Sequence, residues 1–305
     1  MAENHDNIQR LYYWRNPETV SKIQKQIAAS EYLIVYDLET TGVNPISDRM
    51  IEMAAIRLRQ QNGSFEVAEK LHKYFRLPDH VTLPEEISKL TGITREQLDQ
   101  AAPEEECTED LLFFLEDIPL VGYNNIHFDD QFLKQFFYRN AVQYSPRQSF
   151  DVFHMAHDFI EIEKVENFKL ETVAKACRIN AEKYHSAFSD AAVTVELLVQ
   201  FMKCFQNGET ALFCGKKKPE IGRIAYWKKD GQENGDGHSL KRIYVNLVDD
   251  PTKIFYNVDS KIWLTSSMEY DMSFIERKSW ELTGAKTEEE FGNFRGRKVI
   301  RTKAA

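Results

Sequence analysis

The sequence predicts an α/β fold, a mixed sheet flanked by helices, with a small β-rich unit after it. Three observations predict it. Apolar runs of strand length come first and helical patterns follow, with one short apolar run, Ile118–Tyr123, returning among the helices. That order belongs to a mixed sheet covered by helices. The run that starts at Tyr32 is an unbroken row of β-branched, aromatic and aliphatic residues, the mark of a strand buried on both faces. Near residue 214 the pattern changes to short alternating runs. At 305 residues the chain has room for a large core and a smaller second unit. The expected division is a helical N-terminal extension over 1–30, the α/β domain over 31–214 and the β-rich domain over 215–305.

Taken in order, Pro17-Glu18-Thr19 opens a helix whose apolar stripe is Ile23, Ile27 and Ala28. The aromatic cluster Leu11-Tyr12-Tyr13-Trp14 reads as a docking segment, on the main domain of the chain in preference to a partner. After the Tyr32 strand, Met50–Leu58 and Leu71–Leu77 read as two more, and Asn62-Gly63 between them is a hairpin signal. These make three antiparallel neighbours. Pro84–Leu90 is helical and is closed by Thr91-Gly92; Cys107–Glu116 is a second helix; residues 128–139, 151–159, 168–178 and 188–205 follow with helical spacing. Gly215-Lys216-Lys217-Lys218-Pro219 reads as a linker and Asp230–Gly237 as a polar, glycine-rich loop. Strands are expected at Arg223–Trp227, Arg242–Val248, Lys253–Asn257 and Lys261–Leu264. The aromatics among them (Tyr226, Trp227, Tyr244, Phe255, Tyr256, Trp263) read first as core and second as platforms for base stacking.

Composition is ordinary globular. No apolar run is long enough to span a bilayer, and the polar, acidic start Met1–Asp6 lacks a signal-peptide core, so a cytoplasmic protein is expected. Cys107, Cys177, Cys204 and Cys214 are scattered without a Cys-x-x-Cys, which argues for reduced thiols and against a zinc site. Charge is uneven. Residues 215–305 carry 18 Lys+Arg against 14 Asp+Glu, or +4, and the rest carries 21 against 34, or −13, giving the net −9. A net-acidic chain is a poor general polyanion binder, so any phosphate contact has to be local, through the basic tail region or a metal.

The chemistry gathers on acids. Asp37 and Glu39 end the Tyr32 strand two residues apart, so both carboxylates lie on one face. Thr40-Thr41-Gly42 then turns the chain and leaves room for a close approach. Like charges at a buried strand end repel and resist desolvation, and a hard divalent cation removes both costs. Taken alone, an Asp-x-Glu is ordinarily a pair of solvated acids; the weight comes from acids elsewhere. Asp129 precedes Phe132 and Leu133 with helical spacing and so lies on the inward stripe, whereas Asp130, four before Lys134, reads as an exposed helix pair. The ordinary explanation of Asp129 is a helix N-cap. Asp190 likewise points inward ahead of Val193, Thr194, Leu197, Leu198 and Phe201. His185 can meet Asp190 only from the loop before that helix, because five helical residues turn about 140°. By itself it is a surface histidine; beside four converging acids it suits a general base. Four inward acids from three elements with a loop histidine fit a two-metal hydrolytic site attacking phosphorus.

Asp37-Leu-Glu39-Thr-Thr-Gly42, Asn125-Ile-His-Phe-Asp129 and His185-x4-Asp190 resemble the three motifs of the DEDDh 3′→5′ exonucleases, and Leu90–Thr94 and Phe168–Thr172 are similar to signatures between them. Gly122–Asp130 followed by Phe137-Tyr-Arg-Asn140 resembles the bacterial exonuclease I group, as do Ile243–Asp250 and Asn257–Ser260 more weakly. The resemblance implies a ribonuclease-H-like fold with a mixed five-stranded sheet, followed by an SH3-like β domain. It implies two Mg²⁺ or Mn²⁺ ions held by Asp37, Glu39, Asp129 and Asp190, with Asp37 bridging and His185 as base. It puts Leu38, Thr40, Thr41, Asn125 and Phe128 at the substrate. The chain departs from exonuclease I by stopping near the start of that group's helical C-terminal domain, which helps enclose the strand, so the resemblance does not carry high processivity over. The implied activity is removal of nucleoside 5′-monophosphates from the 3′ end of single-stranded DNA, with a place in DNA repair and no membrane partner. The alternatives are an RNA-trimming or proofreading exonuclease, and a non-catalytic nucleic-acid-binding module.

Overall fold

The computed structural model describes residues 11–61, 63–160, 165–181, 184–208, 217–233 and 239–299. Asn62 of the hairpin signal, Cys214, Gly215 and Lys216 of the linker, and Asn234–Gly237 of the glycine-rich loop lie outside them. In chain order the elements begin with β1 (Tyr12–Trp14), α1 (Pro17–Ala29), β2 (Tyr32–Thr40), β3 (Met50–Gln61) and β4 (Ser64–Arg76). Then come α2 (Glu85–Thr91), α3 (Arg95–Asp99), β5 (Ala102–Pro103), α4 (Glu104–Leu115), β6 (Leu120–Gly122), α5 (Asp129–Arg139) and β7 (Ser149–Asp151). After these are α6 (Val152–Phe159), α7 (Leu170–Ala176) and α8 (Ala187–Gln206). The rest is β8 (Ile221–Glu233), β9 (Ser239–Leu247), β10 (Ile254–Asn257), β11 (Ile262–Thr265), α9 (Met272–Thr283), α10 (Glu288–Gly292) and β12 (Arg297–Val299). The chain divides into two compact units, one built within residues 21–210 and the other from the described parts of 1–20 and 211–305.

The first unit is a mixed sheet in the order β5-β4-β3-β2-β6-β7. β2–β3 and β3–β4 pair antiparallel, while β6 joins β2 in parallel and β7 joins β6 in parallel. Five strands form the expected mixed sheet, and the two-residue β5 adds a short parallel edge on β4. Side chains alternate across β2 because its period is two. Leu33 and Val35 enter one core with Ala54, Ile56, Val121 and the α8 residues Leu197, Leu198 and Phe201. Ile34, Tyr36 and Leu38 enter the other with Phe75, the α4 residues Leu111 and Leu115, and the α5 residues Phe132, Leu133 and Phe136. The row Leu33, Val35, Asp37, Glu39 therefore starts as core beneath α8 and ends as acid at the mouth of the sheet. That sequence of residue types places the site.

The second unit is an antiparallel sheet in the order β1-β11-β10-β9-β8-β12. The aromatic N-terminal cluster docks within the chain, but on this unit: Tyr12 pairs with Thr265 and Trp14 with Trp263, and Trp14 is buried. A bare sheet edge invites pairing, and β1 covers the β11 edge. Tyr256, Trp263 and Phe255 are buried, in line with the core reading; Trp227 is exposed, and Tyr226 and Tyr244 are half-buried. The helices α9 and α10 were not among the expected elements. α9 is capped by Asp271, whose side chain accepts from Phe274 N, and ends at Gly284 in the left-handed region. No described helix is long and apolar enough to cross a membrane.

Candidate active site

Asp37, Glu39 and Asp190 come together: each offers a carboxylate oxygen, and the three lie within 4.8 Å of one another. β2 supplies the first two from one face, as the two-residue spacing requires. α8 supplies the third from its first turn, where a helix N-terminus favours negative charge. Asp129 arrives from α5 on the other side of β2. It is buried, and its Oδ1 accepts the Leu38 backbone N–H at 3.1 Å. Asp129 is not part of the tight trio, but it and Asp190 are the two acids that raise Asp37 most. The four expected acids thus converge on the C-terminal end of β2.

Burial and mutual repulsion govern their ionisation. Asp37 is held well above the ordinary carboxylate range, first by burial and then by Asp129, Asp190, Glu39 and Glu52. Burial raises Asp129 as well, with Asp130 adding to it. Asp190 is pushed up to about 6, chiefly by burial; the His185 N–H and the His185 ring act in the opposite direction. Hard oxygens crowded at this cost are the donor set that Mg²⁺ or Mn²⁺ favours, so the residues fit a divalent metal.

His185 lies in the loop before α8, exposed to solvent, with a backbone φ of 60°. Few residues other than glycine adopt that left-handed conformation, and such conformations cluster at functional sites. Its backbone N–H donates to Asp190 Oδ2 at 3.1 Å, which ties the histidine to the trio without using its ring.

Two acids have roles the sequence did not show. Asp130 is not an exposed partner of Lys134. It is buried and accepts from the Tyr36 hydroxyl at 2.5 Å and from Asn125 Nδ2 at 3.3 Å. The first turn of α5 is covered on two sides, so neighbouring positions both face inward. Glu52 on β3 pairs in register with Glu39 and is buried. Its signal was present as a charge inside the apolar run Met50-Ile-Glu-Met-Ala-Ala55, since a buried carboxylate needs partners.

The expected substrate residues divide. Thr40 and Thr41 sit at the end of β2, where pairing with β3 becomes irregular; Thr40 Oγ1 donates to Gly42 O, and Thr41 Oγ1 accepts from Arg49 N. A Cβ on Gly42 would lie 2.4 Å from Asp48 Oδ2, so the turn is closed against that side chain. Phe128 is half-buried against the Phe132 ring, and the Leu38 side chain is core. Asn125 is fully buried and spends its amide on Asp130 and Ser149, supporting the start of α5 rather than facing outward.

The family profile described as Exonuclease (RNase_T) matches residues 34–198. The DNA polymerase III PolC-type of Thermotoga maritima is 27% identical over 236 residues, 74% of this chain and 16% of that protein. The 3′-5′ exonuclease DinG of Bacillus subtilis is 28% identical over 171 residues, 56% of this chain and 17% of that protein. The chain therefore spans a small part of these relatives. In fold it is similar to E. coli Exonuclease I solved with a dT13 oligonucleotide, with a TM-score of 0.51 and 21% identity over 75% of this chain and 55% of that one. The structure of that enzyme with a dA16 oligonucleotide gives 0.50 and 19% over the same shares.

Proposed function

This chain belongs to the exonuclease (RNase_T) family, and from that premise we propose that it hydrolyses the terminal phosphodiester bond at the 3′ end of single-stranded DNA. The products are nucleoside 5′-monophosphates, and two divalent cations, Mg²⁺ or Mn²⁺, assist. The observation that carries the reading is the grouping of Asp37, Glu39 and Asp190 at the mouth of β2, with Asp129 beside them. Asp37, Glu39 and Asp190 would hold one cation, and Asp129 with Asp37 the other. When bound, the cations supply charge that acidifies an attacking water and offsets the charge building on the leaving oxygen. The chain's own part is to hold these oxygens on rigid elements and to move the proton. The His185 ring, exposed at the head of α8, accepts the proton of the attacking water at a ring nitrogen. In this reading the turn at Thr40, Thr41 and Gly42, tight against Asp48, receives the terminal nucleotide beside the acids. Single-stranded DNA as substrate is supported by the fold shared with Exonuclease I in its oligonucleotide complexes.

A second reading has its own support. The PolC-type polymerase is similar over 74% of this chain, which favours an editing exonuclease acting at mismatched primer ends. One assay separates the two. Strands labelled at the 5′ end, presented as single-stranded DNA, matched duplex, 3′-mismatched duplex and RNA, are incubated with Mg²⁺ or Mn²⁺. Shortening of the single strand first, lost in Asp37→Ala, is the expected result. Preference for the mismatched duplex favours editing, and cleavage that survives Asp37→Ala overturns the site.

A further inference from the structure

Glu52 is fully engaged yet has no place in the mechanism above. It is 2% exposed on β3. Nε2 of His72 on β4 donates to Oε1 at 2.6 Å, and the Ala187 backbone N–H donates to Oε2 at 3.2 Å. Ala187 is the first residue of α8, and the cap residue Ser186 makes no side-chain hydrogen bond to the helix. A helix leaves its first N–H groups without internal partners, and an acceptor at that end is stabilising. Here the acceptor comes from a neighbouring strand, so it fixes where the helix begins as well as satisfying a donor. His72 is held in turn, its ring 5.1 Å from Tyr74 and 5.8 Å from Phe188. Two residues before Ala187 stands His185 with its left-handed backbone. Asp190 accepts the N–H of His185 from one side, and Glu52 accepts that of Ala187 from the other.

We propose that Glu52 is a positioning residue for His185: its carboxylate, steadied by His72, clamps the start of α8 so that the histidine loop keeps one geometry beside Asp37 and Glu39. The reaction needs this because the proton acceptor lies on a loop, and small misplacements of such a group are costly in rate. Partners that orient reactive or ligating groups are typically worth 10–100-fold in activity. The inference rests on the nuclease reading.

The test is steady-state cleavage of a 5′-labelled oligo(dT) with saturating Mn²⁺, well below each variant's unfolding temperature, together with Mn²⁺ affinity by calorimetry. Glu52→Ala is expected to lower kcat about 10–100-fold, with KM and Mn²⁺ affinity largely kept. Glu52→Gln should recover most of the rate, since its amide oxygen still accepts from Ala187. In a His185→Ala background, adding Glu52→Ala should cost little more. Unchanged kcat in Glu52→Ala, or a penalty that adds in full to that of His185→Ala, overturns the proposal. Should Glu52→Ala fail to fold, His72→Ala on the half-exposed partner is expected to lower kcat in the same direction by less, and unchanged kcat there overturns it equally. A wild-type chain that cleaves no strand defeats the nuclease reading and this inference with it. A wild type that cleaves, with Glu52→Ala unaffected, defeats this inference alone.

Discussion

Carboxyl groups raised by burial, and further by one another, make the site sensitive to pH in a direction opposite to that of an ordinary salt-bridged acid. Asp190 has a folded value of about 6 against an ordinary 3.8, so between those values the folded chain binds more protons than the unfolded one. Its contribution to stability is complete below about 3.8 and is lost as pH rises through about 6. Asp37 and Asp129 shift the same way. In EDTA, thermal stability of the first unit should therefore fall as pH rises across this window. A cation reverses the trend, because it binds ionised carboxylates and stabilises by mass action. Added Mn²⁺ should raise the unfolding temperature more at pH 8 than at pH 5, and an equal rise at both would contradict the site. Asp37→Asn removes one of the crowded charges, so it should raise the metal-free unfolding temperature while abolishing cleavage, which scanning calorimetry and the labelled-strand assay read separately. His185→Ala should slow cleavage by roughly 10²–10⁴-fold with Mn²⁺ affinity largely kept; affinity falling in step with rate would make the histidine something other than a base. Asp37, Glu39, Asp129 and Asp190 were legible because each interrupts an apolar row at the period of its element. Asp130 was not, since adjacent helix positions usually face apart and Lys134 offered an ordinary partner. The left-handed backbone of His185 leaves no trace in residue type.

Elements were legible where a period ran long enough to repeat. β2, β3, α4, α5 and α8 follow the apolar spacing of their residues, and β7 and β5, at three and two residues, are too short to show any. They exist because β6 and β4 present open edges to them. The expected strands over 223–264 had no helix after them, although Asp271 and Gly284 bracket an apolar stripe at Met272 and Ile275; both caps of α9 are written in residue type, and its short stripe is the weaker signal. The caps of α2 can be tested. Thr91-Gly92 closes that helix, and Gly92 takes φ 80° with its N–H donating to Ser88 O. Thr91 is buried there, its hydroxyl donating to Ile87 O and accepting from Ile93 N. A side chain in the left-handed region costs about 1–2 kcal/mol, so Gly92→Ala should lower unfolding stability by about that amount in a denaturant titration. Gly92→Asn should lose less, because asparagine tolerates the conformation. Equal losses for the two would mean that packing of the turn, not its backbone, decides the cost.

At the scale of the whole molecule, the net charge of −9 argues against general polyanion binding, while Asp37, Glu39 and Asp190 are grouped where a cation would neutralise them. The ends of the chain carry a second consequence. Residues near the N-terminus complete the sheet of the second unit: β1 pairs with β11, and Asn16 Nδ2 donates to Glu276 Oε2 at 2.6 Å. The other oxygen of Glu276 accepts the indole N–H of the core residue Trp263 at 3.1 Å. Burial pushes this carboxyl up to about 7 against an ordinary 4.5, with the Asn16 and Trp263 hydrogen bonds opposing the change. A group raised on folding stabilises fully below its unfolded value, so this contribution is complete below about 4.5 and is lost as pH rises through about 7. A tenfold change in a carboxyl's proton affinity is worth about 1.4 kcal/mol, enough to govern the pH response of a small unit. Glu276→Gln keeps an oxygen for Trp263 and removes the proton. Asn16 can turn its amide to offer an oxygen to the new donor. The variant should therefore flatten the fall in stability of the second unit between pH 4.5 and 7, read by unfolding followed through tryptophan fluorescence, since Trp14 and Trp263 both lie in that core. A slope that persists unchanged in the variant would mean that another group, such as Glu288 beside Tyr256, carries the response.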